Sequence, residues 1–491
     1  PGEVQAAMQR WMTRPSMTLI LEPGERGDAY EEAASVAETD TQADQGAAEE
    51  LTVTKERPAP PIVSIAQLDF PDVQHTALAN GMTLHYAQRD AIPATYVTLS
   101  FDAGSSADPA DKRGLESLAL GLFEEGTTSM SSREIAETSE RLGANISLGG
   151  GADRSSFTLS ALSANLVPSL ELLSDIVRNP AFAQSEIDRV RAQRITSVEQ
   201  ELRTPASIAQ RTAAPLSAIT RADITGFKDR WIRPDNGEIF VVSDRPLDEI
   251  VTSLEAVLGD WEAPAMAKGA KSFDAAPPAP AESRIVLVNR PNSPQSYIYG
   301  GQLTAVDPRG ETYVDFLNAN NALGGNFLAR LNMNLRETKG WSYGVRGAPL
   351  TNENAVAYTV RAPVQADRTG DALAELIRET GEFLDTRGVT DEELTRIVTA
   401  EIGELPGQFE TSGAILGAMQ SNALYGRPDD YYEIIADHYR EQTTASLDAA
   451  ARAAIDTDRF VWVVVGDAAV VEPQLEQLGL AVERIEMTGT D

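Results

Sequence analysis

One order of elements runs along this chain twice, and a repeat of roughly 200 residues confines the fold to a duplicated domain. Alternating apolar residues predict strands at 81–86 (GMTLHY) and 96–101 (YVTLSF), read as neighbours in one sheet. Helical periodicity follows at 114–123 and 132–142, with Ser131 or Ser132 placed to cap the second helix. A hairpin of 145–148 with 156–161 turns on Gly149, Gly150 and Gly151. Two long helices, 166–178 and 184–202, are divided by Asn179 and Pro180, and a strand at 239–242 ends the set. The second pass has strands at 284–289 and 296–299, then helices at 313–322 and 325–336. Its hairpin, 342–346 with 355–361, bends at the polar stretch 350–354, and long helices follow at 368–384 and 391–402. Helices at 411–421, at 430–439 and near Ala450 precede a β-branched strand at 459–467. Strands joined by helices, with a hairpin among them, predict an α+β class: an antiparallel or mixed sheet covered by helices, built twice. The domains are expected at 66–265 and 283–480, joined by an Ala- and Pro-rich linker at 266–282.

Residues 1–22 read as an amphipathic helix, a Thr-Arg-Pro break and a strand, the pattern that also closes the chain, and are expected to be the tail of a preceding unit. Residues 23–65 form an acidic linker: between Glu22 and Glu56 there are 11 acidic residues against Arg26 and Lys55, and Pro58, Pro60 and Pro61 stiffen its exit. Residues 1–18 carry charges and no apolar core, so no secretory leader is expected there, and the missing initiator Met reads as a processed or excised chain. No run of 18 apolar residues predicts a membrane span. A net charge of -33, from 74 acidic and 41 basic residues, argues against nonspecific nucleic-acid binding and against a polybasic membrane anchor.

The absence of cysteine removes disulfides, thiolate nucleophiles and thiolate metal ligands together. The three histidines, His75, His85 and His438, form no metal-binding pair at helical spacing. No G-x-S-x-G elbow stands between a strand and a helix, and neither Gly149–Gly151 nor Gly324 with Gly325 follows a phosphate-loop pattern. Glu124 and Glu125 read as surface charges at a helix end, with an acid pair as the alternative. The stretch 327–345, FLARLNMNLRETKGWSYGV, reads as a helix docked through Phe327, Leu328, Leu331 and Leu335, a glycine turn, and a strand from Trp341. Arg336 and Tyr343 flank that turn. A guanidinium fork and a phenol brought together there can hold a peptide carbonyl or carboxylate. An Arg paired to an acid and a Tyr half-buried in a sheet is the other reading of the same spacing.

At LGGNFLARLNMNLRETKGWSYGV (323–345) the chain strongly resembles the C-terminal domain of the M16 metallopeptidases, the pitrilysin and insulinase family. The resemblance spans 66–480 and implies repeated α+β domains whose two halves close around a chamber for extended peptides. The family's zinc signature is HxxEH on the first helix of the first domain, and the matching stretch here is GLESLALGLFEEGT (114–127). The histidine positions hold Ser117 and Gly121, and the catalytic Glu position holds Leu120. The distal metal ligand falls near Ser197, with Glu199 and Glu201 beside it. The resemblance therefore implies no catalytic residue, no metal ligand and no bound cofactor in this chain, with Zn expected in a partner half. Arg336 and Tyr343 match the family's substrate-binding Arg and Tyr. The function expected from this is a noncatalytic half or subunit that closes the chamber and supplies those two residues to a zinc-bearing partner. The alternative is a scaffold subunit of the core-protein type without a proteolytic role. Bacterial members of the family imply a periplasmic location.

Overall fold

The computed structural model describes residues 2–19, 68–201, 204–209, 216–273 and 280–486. Residues 1–64 and 65–491 form separate units. In the first, the helix Gly2–Met12 is exposed along its length. Residues 15–19, expected to enter a strand, belong to none. A single extended segment has no ladder partner to satisfy its backbone, and the rest of the expected strand, 20–22, lies outside the described residues, as does the whole of the linker 23–65.

The second unit holds two six-stranded mixed sheets. The strands of the first are β1 (Val73–Ala77), β2 (Thr83–Gln88), β3 (Ala94–Phe101), β4 (Asn145–Gly150), β5 (Ser155–Leu162) and β6 (Gly237–Ser243), in the order β1-β2-β6-β3-β5-β4. Those of the second are β7 (Arg284–Asn289), β8 (Gln295–Leu303), β9 (Arg346–Asn352), β10 (Ala355–Gln365), β11 (Val461–Gly466) and β12 (Ala481–Glu486), in the order β12-β7-β11-β8-β10-β9. The last five positions of these orders, β2-β6-β3-β5-β4 and β7-β11-β8-β10-β9, repeat in order and direction. In the first sheet β6 lies between β2 and β3, and in the second β11 lies between β7 and β8, each parallel to the former and antiparallel to the latter. The strands read as neighbours, β2 with β3, are thus separated by β6, and β7 and β8 are separated by β11 in the same way. Local alternation reports a strand but not its partner, which is why the sequence put them together.

The duplication is broken at one edge. β1 enters from the N-terminal side and pairs antiparallel with β2, whereas β12 arrives from the C-terminal side and pairs parallel with β7. Both edge strands are too polar to stand out as buried strands, and β12 carries the fold past residue 480 to Glu486.

Helices cover one face of each sheet. Leu118, Leu170, Leu173, Ile224, Ile250 and Leu254 meet Leu84, Leu99, Ile239 and Val241 in the first core. In the second core Phe316, Leu331, Leu335, Leu373, Leu376 and Leu447 meet Ile285, Ile298, Val360, Trp462 and Val464. Gly300 is required there, because a Cβ would come within 2.4 Å of the Trp462 ring. The hydroxyl-rich opposite face of β3 and β5 is tied by Thr98 Oγ1 to Thr158 Oγ1 at 2.9 Å.

The two halves are joined through β6. Alternate residues point to opposite faces of a strand, so Ile239 and Val241 enter the first core while Phe240 and Val242 face the other way. There they meet Ile415, Leu416 and Met419 from the helix Ser412–Tyr425, which follows the second copy's long helices. A second tie runs from the β4–β5 turn to the β9–β10 turn, where Glu353 N–H donates to Asp153 Oδ2 at 2.9 Å. Part of the expected linker is also anchored: buried Lys271 pairs with Asp102 at 2.6 Å and Gly269 N–H donates to the Arg230 carbonyl at 3.1 Å.

Ile415 is fully buried where the halves meet, and Ile415→Ala leaves a cavity between Phe240 and its own helix. The expected loss is about 2–4 kcal/mol of unfolding free energy, read by urea titration of tryptophan fluorescence. A loss below about 1 kcal/mol would mean that this helix lies outside the cooperative core.

Candidate functional site

The degenerate motif lies on the helix Leu115–Phe123. Gly114 enters it with φ 88°, in the left-handed region that favours glycine. Asp108 replaces a side-chain cap, accepting from Gly114 N–H at 2.7 Å and Glu116 N–H at 2.8 Å. Leu115, Leu118, Leu122 and Phe123 face the core, Leu120 is buried at its margin, and Ser117, Leu120 and Gly121 line a cleft of about 510 Å³. The cleft is closed by Val190 and Arg194 of the helix Gln184–Glu201 and by Leu148, Gly150 and Gly151 at the end of β4.

This cleft does not suit a zinc ion. Ser117 and Gly121 offer no imidazole, and buried Leu120 cannot act as a base. Among the described residues no three His, Cys, Asp or Glu side chains are grouped to hold a metal. Ser197, Glu199 and Glu201 do not line it, and Arg194, one turn before Ser197, does. Counting along the motif reaches that helix but cannot tell which face of it turns inward. Arg194 Nη2 donates to Ser117 Oγ at 3.1 Å.

Below the cleft, Glu116 is buried in a short network in which Gly104 N–H donates to Ser155 Oγ (3.1 Å) and Ser155 Oγ–H donates to Glu116 Oε1 (2.8 Å). Burial pushes its carboxyl up to about 7, with the Asp108 charge adding to the shift and the Ser155 hydrogen bond opposing it. The carboxyl packs under Gly150, where a Cβ would lie 2.0 Å from Oε1. β4 continues through Gly149 and Gly150, beyond the expected end at 148, and a side chain at Gly150 would have to displace the Glu116 carboxyl. Glu124 also lines the cleft, raised by desolvation and then by Glu125, while Glu125 pairs with Arg189. The two acids thus have separate surroundings and do not act as a pair.

Arg336 and Tyr343 lie outside this cleft. The helix expected over 325–336 begins only at Arg330, runs for three residues and widens into a π-helical turn, Met333–Thr338. Phe327 and Leu328, expected in the core, are 55% and 53% exposed, whereas Leu331 and Leu335 are buried as read. Hydrogen bonds from Lys339 N–H to Asn334 O and from Trp341 N–H to Leu335 O, both 2.9 Å, make the wide turn. Such turns recur at functional sites. The turn carries Arg336, whose guanidinium stands 4.6 Å over the Phe327 ring and 3.3 Å from Glu337. Arg336 thus rests on Phe327 and Glu337 rather than on Tyr343.

The expected strand from Trp341 touches β10 through an isolated bridge, Ser342 with Val364, where the Ser342 hydroxyl also donates to the Pro363 carbonyl at 2.6 Å; the chain then leaves the ladder, and the continuous strand starts at Arg346. Tyr343 stands on this detour and is 86% exposed. Buried Asn332, which the sequence reading missed, ties the pieces together. Its Nδ2 donates to Phe327 O at 2.7 Å and its Oδ1 accepts from Val345 N–H at 3.0 Å.

The histidines are structural. His75 and His85 face each other across β1 and β2 with Nδ1 atoms 3.1 Å apart, and His75 Nε2 meets Asp429 at 2.7 Å. Burial, aided by His75, lowers His85 to about 4. His438 meets Asp315 at 2.9 Å.

Known proteins share this fold. Residues 86–218 match the family model described as Insulinase (Peptidase family M16), and residues 218–401 match the one described as Peptidase M16 inactive domain. A Bacillus subtilis protein described as an uncharacterized zinc protease, YmxG, is 21% identical over 70% of this chain and 86% of its own length. Among solved structures, a peptidase M16 inactive domain from Pseudomonas fluorescens superposes with a TM-score of 0.73 at 24% identity, covering 81% of this chain and 98% of that one. The first half of the periplasmic protease PqqL from Escherichia coli gives 0.65 at 16% identity, covering 83% and 95%.

Two measurements test this site. Glu116 has a raised folded pKa, so its contribution to stability is complete below about 4.5 and is lost as pH rises towards and past about 7. Relative to Glu116→Gln, the wild-type chain should lose about 3 kcal/mol between those limits, measured by denaturant unfolding at several pH values. After exposure to zinc and desalting, elemental analysis should find well under one metal per chain; one tight zinc would contradict the reading of the cleft.

Proposed function

Because this chain belongs to the M16 family of peptidases, we propose that it is the noncatalytic half of a zinc peptidase, closing a peptide chamber and presenting Arg336 and Tyr343 to a partner half that carries the metal. One contrast carries the reading. The motif helix has Ser117, Leu120 and Gly121 where ligands and base belong, while Arg336 and Tyr343 stand on a specially shaped, solvent-facing turn.

In this role the residues of the chain bind and orient. The Arg336 fork and the Tyr343 hydroxyl are hydrogen-bond donors suited to the carbonyl next to the bond being cut, where negative charge develops. Phe327 beneath the guanidinium limits its motion, and Asn332 holds both arms of the turn, so the donors are preset rather than recruited. The metal and the base that activates water belong to the partner half. A periplasmic place for the complex is supported by the likeness to PqqL, described as a periplasmic protease. Extended peptides are the substrate class.

The test is reconstitution with an HxxEH-bearing M16 protein from the same source, following cleavage of a quenched fluorescent peptide. Arg336→Ala should lower kcat/KM by roughly 100-fold and Tyr343→Phe by roughly tenfold, with folding intact. Unchanged rates in both variants would sink the proposal and leave a scaffold role.

A further inference from the structure

The cleft that has lost its metal ligands has gained a cation of another kind. Arg194 extends from the middle of the helix Gln184–Glu201, is exposed, and lines the cleft beside Ser117 and Gly121. Among the described residues its one hydrogen bond is to Ser117 Oγ, and no carboxylate lies within ion-pair distance of it. Most arginines on the surrounding surface are paired: Arg189 with Glu125 and Glu186, and Arg191 with Asp188. A guanidinium has five donors in a fixed fork that matches a carboxylate, and a single bond to a hydroxyl leaves most of them unused.

The other wall of the cleft is a sheet edge. β4 is the outermost strand of its sheet, paired with β5 on one side only, and its last residues, Leu148 and Gly150, line the cleft. An unpaired strand edge offers N–H and C=O groups in the register an extended peptide needs. Gly149 and Gly150 add no side chains to obstruct the approach. The cleft's volume, about 510 Å³, falls in the range of sites that hold small ligands.

We propose that this cleft is a carboxylate-holding site, in which Arg194 grips the free C-terminal carboxylate of an extended peptide whose last residues lie along the end of β4. The two carboxyl groups in the wall do not oppose this strongly. Glu116 is turned under Gly150 and hydrogen-bonded to Ser155, and burial biases both Glu116 and Glu124 towards their uncharged forms. The chain would thus keep a peptide end without cutting it, since Leu120 occupies the position of the base. This inference concerns the chain's own cleft and does not depend on Arg336, Tyr343 or a partner half.

The experiment uses the full chain at pH 6.5 and low salt, and an N-terminally fluorescein-labelled octapeptide of alternating Ala and Val prepared as the free acid and as the C-terminal amide. Fluorescence anisotropy should show the acid binding about tenfold or more tightly than the amide. Arg194→Ala should bring the acid down to the affinity of the amide, and Arg194→Lys, which keeps the charge but not the fork, should fall between them. Equal affinity of acid and amide for the wild-type chain, or no binding of either at millimolar concentration, overturns the proposal. A preference for the acid that survives in Arg194→Ala, or that disappears in Arg336→Ala instead, overturns it as well. The comparison of acid with amide on the wild-type chain stands whether or not any variant folds.

Discussion

Burial of β6 on both faces is the constraint on which the rest of this structure depends. Ile239 and Val241 complete the core beneath the helices of the first sheet, and Phe240 and Val242 are covered by a helix that belongs to the second copy. A strand inserted between β2 and β3 must be apolar on both sides or leave one sheet face wet. Because the covering helix comes from the other copy, the duplicated halves are packed as one body rather than strung on a linker. That packing sets where the β4–β5 turn meets the β9–β10 turn, and hence which ends of the two sheets face each other.

Within that frame, the motif helix keeps the packing of the fold while Ser117, Leu120 and Gly121 offer neither metal ligand nor base. Its core-facing residues Leu115, Leu118, Leu122 and Phe123 are what the sheet requires, and Asp108 still holds its first amides. Of these three cleft-lining positions only Leu120 also packs in the core, so Ser117 and Gly121 can stand beside it and Arg194 can reach across. Desolvation nevertheless persists at the base of the cleft, where Glu116 is buried as an acid near neutrality. A site can lose its chemistry while its low-dielectric surroundings remain, because those surroundings are made by the sheet and helices and not by the ligands.

The turn bearing Arg336 and Tyr343 departs from the regular helix and strand that its apolar spacing suggests. Phe327, Leu328, Leu331 and Leu335 have spacing that suits one helical face, yet the first two are outside the core. Asn332 accounts for the difference: its amide satisfies the Phe327 carbonyl and the Val345 N–H, which stabilises an irregular approach in place of a regular helix. Periodicity counts apolar residues and is blind to an asparagine that bonds to backbone five residues back and thirteen ahead. The same blindness hid Arg194, which is an ordinary charged residue on a helix until that helix is placed against Ser117.

By itself the sequence determined the α+β class, the duplication, the hairpins, the long helices and the family to which the chain belongs, since all of these follow from periodicity and from motifs contiguous in the chain. It also determined that Ser117, Leu120 and Gly121 cannot replace two histidines and a glutamate, because side-chain chemistry does not depend on fold. Tertiary structure alone decided the order of strands in each sheet, the crossing of a second-copy helix onto the first sheet, the π-helical turn under Arg336 and the meeting of Arg194 with Ser117. Each of these joins residues far apart in the chain or sets backbone hydrogen bonding against local propensity, and only the packed chain resolves which contact prevails.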